Sequence, residues 1–194
     1  MANIAIVYHS GYGHTRAVAE AVAAGARGVG GAEVNLIPVA EAEAREAELD
    51  RADAIIFGSP TYMGGVSADF AKFKDWTSKK WMARSWHDKL AAGFTVSASW
   101  GGDKQNTMYQ LITLAQQLGM IWVGLGLPAG NNHSKGSPDD LNRTGASLGL
   151  MAQAHADQGN EGIGQSEFAT ARALGKRVAE AALRWKALPL AQAA

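Results

Sequence analysis

The first residues that could carry chemistry form a hydroxyl- and glycine-rich turn, which reads Ser10-Gly11-Tyr12-Gly13-His14-Thr15. An apolar run over residues 3–8 precedes the turn and predicts a buried strand. Apolar residues at helical spacing follow it, namely Val18, Ala19, Val22 and Ala26. The turn therefore opens at a helix N-terminus, where free N–H groups and the positive end of the helix dipole attract an anion. We expect these six residues to bind the phosphate of a small phosphorylated molecule.

Two common phosphate motifs do not fit this turn. The dinucleotide fingerprint requires a third glycine where this chain has Arg16, and its acidic residue should end the second strand, whereas Glu33 begins it. A Walker loop requires a lysine followed by serine or threonine, and none follows Gly13. A monophosphate held by hydroxyls and backbone N–H groups needs neither motif.

Two later loops also follow apolar runs. The second reads Ser59-Pro60-Thr61-Tyr62-Met63-Gly64-Gly65, and the third reads Ser97-Ala98-Ser99-Trp100-Gly101-Gly102-Asp103. In a doubly wound sheet, the loops after the first, third and fourth strands meet at one edge, where ligands bind. Proline and paired glycines shape tight turns, and aromatic and thioether side chains suit a flat ring. Together the three loops predict a phosphate site beside a slot for a planar heterocycle.

The rest of the pattern alternates strands with helices. We predict strands over residues 3–8, 33–38, 53–58, 91–97 and 120–123. We predict a short helix over 42–49, a helix after Ser67 as its cap, a helix capped by Asp103 and a C-terminal helix over 168–185. Between residues 124 and 166 the pattern breaks into Gly-, Asn-, Pro- and Asp-rich segments. This predicts an α/β fold with a five-stranded parallel sheet covered on both faces.

Composition narrows the class of protein further. The 194 residues suit one domain over 1–188, and we expect a frayed tail over 189–194. Eighteen basic and eighteen acidic residues balance, which argues against nucleic acid or an anionic membrane as partner. The chain has no cysteine, so any redox chemistry needs a bound cofactor. We also expect no metal site, and no leader or membrane span, and hence a cytoplasmic protein.

At these residues the chain resembles the flavodoxin-like FMN proteins and, within them, the WrbA-type NAD(P)H:quinone oxidoreductases. The family's Ser-x-Tyr-Gly-His-Thr phosphate loop matches Ser10 to Thr15, and its Ala-Ile-Ile-Phe-Gly-x-Pro-Thr segment matches residues 54–61. Residues 97–102 are similar to the family's third flavin loop, and Gly119-Met120 also fits. The resemblance implies a flavodoxin-like sheet with strand order 2-1-3-4-5.

The chain departs from the family in three places. Tyr62-Met63-Gly64-Gly65 replaces the usual Arg-Phe-Gly-Asn, so contacts of that arginine and asparagine do not carry over. The connection between the second and third strands is shortened to residues 40–51. Gln116-Gln117 stands where the family often has paired histidines, so no proton-donating role is assigned there.

The resemblance implies an FMN enzyme in which the flavin carries the chemistry. NADH or NADPH would be the donor, and a quinone or similar small molecule the acceptor, with both using one face of the ring in a ping-pong cycle. Ser10 to Thr15 would hold the phosphate, while residues 60–65 and 97–102 would frame the ring. No residue is assigned as a catalytic acid or base. The alternatives are a flavodoxin-type single-electron carrier and a flavin-binding sensor or interaction protein.

Three further residues are candidates for the substrate pocket. Trp81 resembles a tryptophan that lines the open face of the flavin in this family, and Trp100 and His133 are further candidates for its walls. Family members commonly form dimers or tetramers, so a homodimer or homotetramer is expected. In that case, part of the pocket could come from a neighbouring subunit.

Overall fold

A computed structural model describes residues 1–187 and shows a sheet between two layers of helices. The strands are β1 (Ala2–Tyr8), β2 (Ala32–Pro38), β3 (Ala54–Tyr62), β4 (Gly65–Val66), β5 (Leu90–Ser97), β6 (Ile121–Trp122) and β7 (Leu150–Gln153). The helices are α1 (His14–Arg27), α2 (Glu46–Arg51), α3 (Ala68–Trp76), α4 (Ser78–Ala83), α5 (Lys104–Gln117) and α6 (Gln165–Ala187). The frayed tail predicted over 189–194 lies outside the described residues.

The sheet has the predicted parallel order, β2-β1-β3-β5-β6. Its central strands β1, β3 and β5 are almost entirely buried, as expected where helices cover both faces of a parallel sheet. Side chains of α1 and α6, such as Val18 and Leu174, pack on one face. Side chains of α3 and α5, such as Phe70 and Leu111, pack on the other. The predicted fold class is therefore confirmed.

The fifth strand is divided into two pieces, which corrects the single strand predicted over 120–123. β6 pairs with the start of β5, where Ile121 lies opposite Leu90. β7 pairs with the end of β5, where Leu150 lies opposite Phe94. The chain between them, residues 123–149, leaves the sheet and returns, and the Leu125 N–H donates to the Ser147 carbonyl at 3.0 Å. We call residues 123–149 the insertion. β7 thus lies within the stretch that the sequence pattern left irregular.

Two other boundaries differ from the sequence prediction. The helix expected over 42–49 is α2, which runs only over Glu46–Arg51. β3 continues through Tyr62 and turns back into β4, so most of the predicted second loop is strand. Met63 and Gly64 make this turn with φ of 47° and 82°, a left-handed conformation for which glycine is suited.

Ser67 and Asp103 differ as helix caps. The Ser67 side chain accepts from the Phe70 N–H at 3.3 Å, as predicted for the start of α3. Asp103 precedes α5 but its backbone is left-handed, with φ of 54°, and its side chain makes no capping hydrogen bond. The predicted capping role of Asp103 is therefore wrong, and Lys104 begins the helix instead. No helix within residues 1–187 is long and apolar enough to cross a membrane.

Candidate functional site

A cavity of about 460 Å³ opens at the carboxyl ends of β1, β3 and β5. Its volume is within the range of small-molecule sites, and its position is where a doubly wound sheet binds ligands. The lining residues come from four chain segments: Tyr12, His14, Thr15, Pro60, Thr61, Tyr62, Val96, Ser97, Ala98, Ala154 and Ala156. The sheet topology therefore brings the three predicted loops to one cavity.

The first loop is shaped by Ser10 and Gly13. The Ser10 hydroxyl oxygen accepts from the N–H groups of Gly13 and Arg16, each at 3.1 Å. Gly13 has φ of 96°, which a side chain would strain, and it starts α1. The first-turn N–H groups, including those of His14 and Thr15, have no acceptor within the helix. The geometry therefore leaves donors available to an anion at the end of the cavity.

This anion site relies on neutral donors. None of the residues lining the cavity is aspartate, glutamate, lysine or arginine. Arg16, the cation nearest in sequence, pairs with Glu20 at 2.9 Å. Backbone N–H groups, hydroxyls and the helix dipole are the groups available for a phosphate, as the sequence predicts.

The second segment supplies a fixed wall. The Thr61 hydroxyl lies 2.8 Å from the hydroxyls of both Thr95 and Thr107, so its position is set by two neighbours beneath the cavity. Tyr62 leans over Gly11, where an added Cβ would come within 2.6 Å of the tyrosine oxygen. Tyr12 packs edge-on against Tyr62, with ring centroids 6.1 Å apart. Burial raises the pKa of Tyr62, so the wall carries no charge at neutral pH.

The third loop, residues 97–103, is tied to its surroundings by backbone contacts. Its Ser97 carbonyl accepts from the Ala154 N–H at 3.1 Å, and its Ala98 carbonyl accepts from the Gln153 side chain at 2.9 Å. At Gly102, with φ of 53°, an added Cβ would lie 2.4 Å from the Ser97 hydroxyl. Trp100 is 57% exposed, and the Arg143 guanidinium lies 4.7 Å from its ring centroid.

Two parts of the site are not predicted from the sequence. Lys104 is buried, and its ammonium donates to the Ser97 hydroxyl at 2.8 Å and to the Ser99 carbonyl at 2.5 Å. Burial lowers the pKa of Lys104 to about 8, and the charge of Glu167 offsets part of that effect. A lysine at the start of a helix is usually solvated, so nothing in the local sequence signals its burial.

The second missed part is the segment after β7. Ala154 and Ala156 line the cavity, and the His14 Nε2 donates to the carbonyls of Gln158 and Gly159 at 2.9 and 3.0 Å. Since carbonyl oxygens only accept, Nε2 carries the ring hydrogen. His14 therefore ties the phosphate turn to this segment. Leu150, Met151 and Ala152 are the apolar residues before this segment, and a run of three is too short to predict a strand.

The structure separates the predicted site residues into three groups. Eight of them line the cavity: Tyr12, His14, Thr15, Pro60, Thr61, Tyr62, Ser97 and Ala98. Others belong to the same turns without lining the cavity: Ser10, Gly11, Gly13, Met63, Gly64, Gly65, Ser99, Trp100, Gly101 and Gly102.

Two of the predicted site residues lie elsewhere. Trp81 lines a second cavity of about 950 Å³ among α3, α4 and α5, and His133 is exposed in the insertion, where its Nδ1 accepts from the Lys135 N–H. The pocket roles of Trp81 and His133 remain predictions.

The residues present suit FMN. The α1 N-terminus and the Ser10 turn provide neutral donors for its phosphate, and glycine at position 11 leaves room for Tyr62 to pack against the turn. Between Tyr62 and residues 97–98, the cavity has aromatic and small side chains that suit a planar ring. Fold and site together define a flavodoxin-like, FMN-binding class of protein.

Comparison with known proteins places the chain within that class. The family model described as NADPH-dependent FMN reductase matches residues 4–134, and the chain belongs to this family. The predicted family is thereby confirmed, and with it the predicted class of enzyme and its cofactor.

Three relatives are similar over nearly the whole chain. "Flavodoxin FldP" of Pseudomonas aeruginosa (strain UCBPP-PA14) is 44% identical over 183 residues, 92% of this chain and 96% of the relative. "NAD(P)H dehydrogenase (quinone)" of Methylocella silvestris is 34% identical, over 96% of this chain and 100% of the relative. The crystal structure of a WrbA-like flavodoxin from Agrobacterium tumefaciens is 42% identical, with a TM-score of 0.75, over 95% of this chain and 99% of that one.

Proposed function

We propose that this protein binds FMN in the 460 Å³ cavity and passes two electrons from NADH or NADPH to a quinone or similar acceptor. The observation that carries the proposal is the combination of a neutral phosphate site at the start of α1 with a flat, uncharged wall at the ends of β3 and β5. Such a cavity binds and orients a cofactor but offers no carboxylate or lysine of its own as a catalytic acid or base.

The chain's own residues have three tasks in this function. The Ser10 turn and Thr15 hold the phosphate, which fixes one end of the cofactor. Thr61, anchored by Thr95 and Thr107, and residues 97–98 position the ring. When bound, FMN supplies hydride acceptance and electron transfer. Donor and acceptor would use the same open ring face in turn, which gives ping-pong kinetics.

A single-electron carrier is the second candidate. It is favoured by the 44% identity to a relative named flavodoxin. Whole-molecule charge argues against it, because carriers that dock on protein partners rely on a strongly charged surface, and this chain has eighteen residues of each sign. The relative named NAD(P)H dehydrogenase (quinone) supports the enzyme.

We further propose a cytoplasmic homodimer or homotetramer. Trp81 does not line the FMN cavity of its own chain and instead borders the cavity of α3, α4 and α5. A second copy could bring Trp81 to the mouth of the FMN cavity, beside Trp100. His133, on the exposed insertion, could contribute in the same way.

An anaerobic absorbance titration tests the function. FMN-loaded protein is titrated with NADH and, separately, with NADPH, and benzoquinone is then added. We expect rapid loss of the flavin band with at least one nucleotide and its return on addition of benzoquinone. Free FMN at the same concentration is the control.

Each outcome decides between the candidates. Failure to bind FMN would contradict the assignment of the cavity. Binding without bleaching by either nucleotide would favour the carrier or a sensor. Photoreduction that stops at a stable one-electron reduced state would favour the carrier specifically.

A further inference from the structure

Two buried charged side chains and a third that is largely covered lie behind the third loop, and the binding of FMN described above uses none of them. Lys104 is 1% exposed, Glu167 is 2% exposed, and the side chain of Arg143 is 12% exposed. Each comes from a different part of the chain: α5, the first turn of α6 and the insertion. Burying charge is costly unless it is paired, so this arrangement needs a structural or functional reason.

Lys104 contacts Ser97 and Ser99 of the loop. Its ammonium donates to the Ser97 hydroxyl and the Ser99 carbonyl, two acceptors from opposite ends of a short bend. The Ser97 hydroxyl in turn lies 3.2 Å from the same carbonyl and donates to it. The lysine thus closes a hydrogen-bonded ring through the loop. Ser97 itself lines the cavity, so Lys104 is one residue away from the ligand.

Arg143 contacts Trp100 of the loop. Its guanidinium stacks on the Trp100 ring, and its Nε and Nη2 lie 2.9 and 2.8 Å from one oxygen of Glu167. The other Glu167 oxygen is buried without a hydrogen-bond partner within residues 1–187. Space for the pair exists because residue 164 is glycine, where an added Cβ would lie 2.6 Å from Glu167 Oε2. The ion pair therefore fixes the guanidinium, and the guanidinium fixes Trp100.

The loop needs such support because its own side chains make few contacts. Apart from Trp100, residues 97–102 are serine, alanine and glycine, which have few side-chain contacts to hold a bend. Ordering such a segment costs conformational entropy, and a site pays that cost at every binding event unless the loop is already fixed.

We propose that Lys104 and the Arg143–Glu167 pair are positioning residues that clamp the third loop at two points. The clamp keeps residues 97–102 in the shape that frames the FMN ring, and this part of the inference rests on the proposed function. Lys104 fixes Ser97 and Ser99, and the ion pair fixes Trp100. The insertion that splits the fifth strand thereby contributes to the site without lining it.

Hydrogen–deuterium exchange of the FMN-free protein tests the clamp directly. The variants are Lys104→Met, which keeps the volume but removes the donors, and Lys176→Met as control, a solvent-exposed lysine 3.9 Å from Glu180 on α6. The N–H groups of Ala154, Lys104 and Asn106 donate to the carbonyls of Ser97, Gly101 and Asp103 and so report on the shape of the loop. We expect their exchange to rise at least tenfold in Lys104→Met, and to stay unchanged in Lys176→Met. Exchange in β1 and α1 should not change in either variant.

The same variants are then titrated with FMN. We expect Lys104→Met to bind FMN about tenfold more weakly and the absorption maximum of its bound flavin to move toward that of free FMN. Unchanged loop exchange would overturn the clamp, even if FMN binding weakened. Unchanged affinity and spectrum in a loosened loop would overturn its role in framing the ring. If the wild type itself bound no FMN, the proposed function would fail, while the exchange result would still decide the clamp.

A second variant tests the clamp independently, in case Lys104→Met does not fold. Arg143→Met combined with Glu167→Gln removes both charges of the pair together, and Lys104 keeps its hydrogen bonds to Ser97 and Ser99. We expect faster exchange of the Lys104 N–H, which donates to the Gly101 carbonyl next to Trp100, and a red-shifted Trp100 emission, obtained as the difference from the same protein with Trp100→Phe. Emission and exchange equal to those of the wild type would overturn the role of the ion pair in the clamp.

Discussion

Ser10 is the residue on which the phosphate turn depends, although it is not among the residues that line the cavity. Its hydroxyl accepts two backbone N–H groups and so fixes the path of the chain into α1. We predict that Ser10→Ala weakens FMN binding about tenfold, because the loop must be ordered by the ligand instead. Binding of riboflavin, which has no phosphate, should change less than twofold.

Fluorescence titration with FMN and riboflavin measures both affinities. Ser134→Ala, an exposed serine of the insertion, is the matched control and should bind both flavins as the wild type does. An equal loss of FMN and riboflavin affinity would mean that the turn does not hold the phosphate.

Among single residues, the sequence predicts those whose role depends on their neighbours in the chain. The turn over residues 10–15 is defined by neighbours in the chain, so its residue types already indicate an anion site. The burial of Lys104 depends on Glu167 and on the insertion, both distant in sequence. A single lysine between Asp103 and Gln105 therefore looks like any solvated helix start, and only tertiary packing reveals its role.

Among the helices, the close approach of α1 and α6 is set by two glycines. An added Cβ would lie 1.9 Å from the Arg172 carbonyl oxygen at Gly25, and 1.9 Å from the Val22 carbonyl oxygen at Gly175. Backbone atoms cannot move aside as a side chain can. We predict that Gly175→Ala lowers the free energy of unfolding by about 2 kcal/mol despite its better helix propensity.

Chemical denaturation measures this change. Gly30→Ala is the matched control, because a Cβ there meets no atom within 4 Å and its backbone is not left-handed. It should alter the free energy of unfolding by less than about 0.5 kcal/mol. A Gly175→Ala protein as stable as the wild type would show that α6 can shift away from α1 without cost.

Element boundaries were predicted well where one pattern dominates. The apolar run over residues 91–97 predicts the bounds of β5 to within one residue. Both faces of that strand are buried, so its residues are continuously apolar or small. The fifth strand was harder. Its halves have only two and four residues and are separated by the insertion, so neither forms a pattern long enough to stand out. Their pairing with β5 is fixed only by the folded sheet.

At the scale of the whole molecule, one surface suggests assembly. Trp81 is 60% exposed and Met82 78% exposed on α4, and Tyr109 is exposed across the 950 Å³ cavity from them. Clustered apolar side chains of this size are unusual on the surface of a monomer and commonly mark an interface. Neutral net charge adds no long-range repulsion between copies.

We therefore predict that the protein sediments as a dimer or tetramer at micromolar concentration, and that Trp81→Ser combined with Met82→Ser shifts it to the monomer. Loss of these two side chains removes apolar area whose burial would stabilise the interface. Trp185→Ser, at an exposed apolar residue of α6, is the control and should leave the assembly intact. Analytical ultracentrifugation distinguishes these states. A monomeric wild type would contradict the prediction, and it would also mean that Trp81 cannot reach the flavin site of another copy, so the acceptor would meet only the walls provided by its own chain.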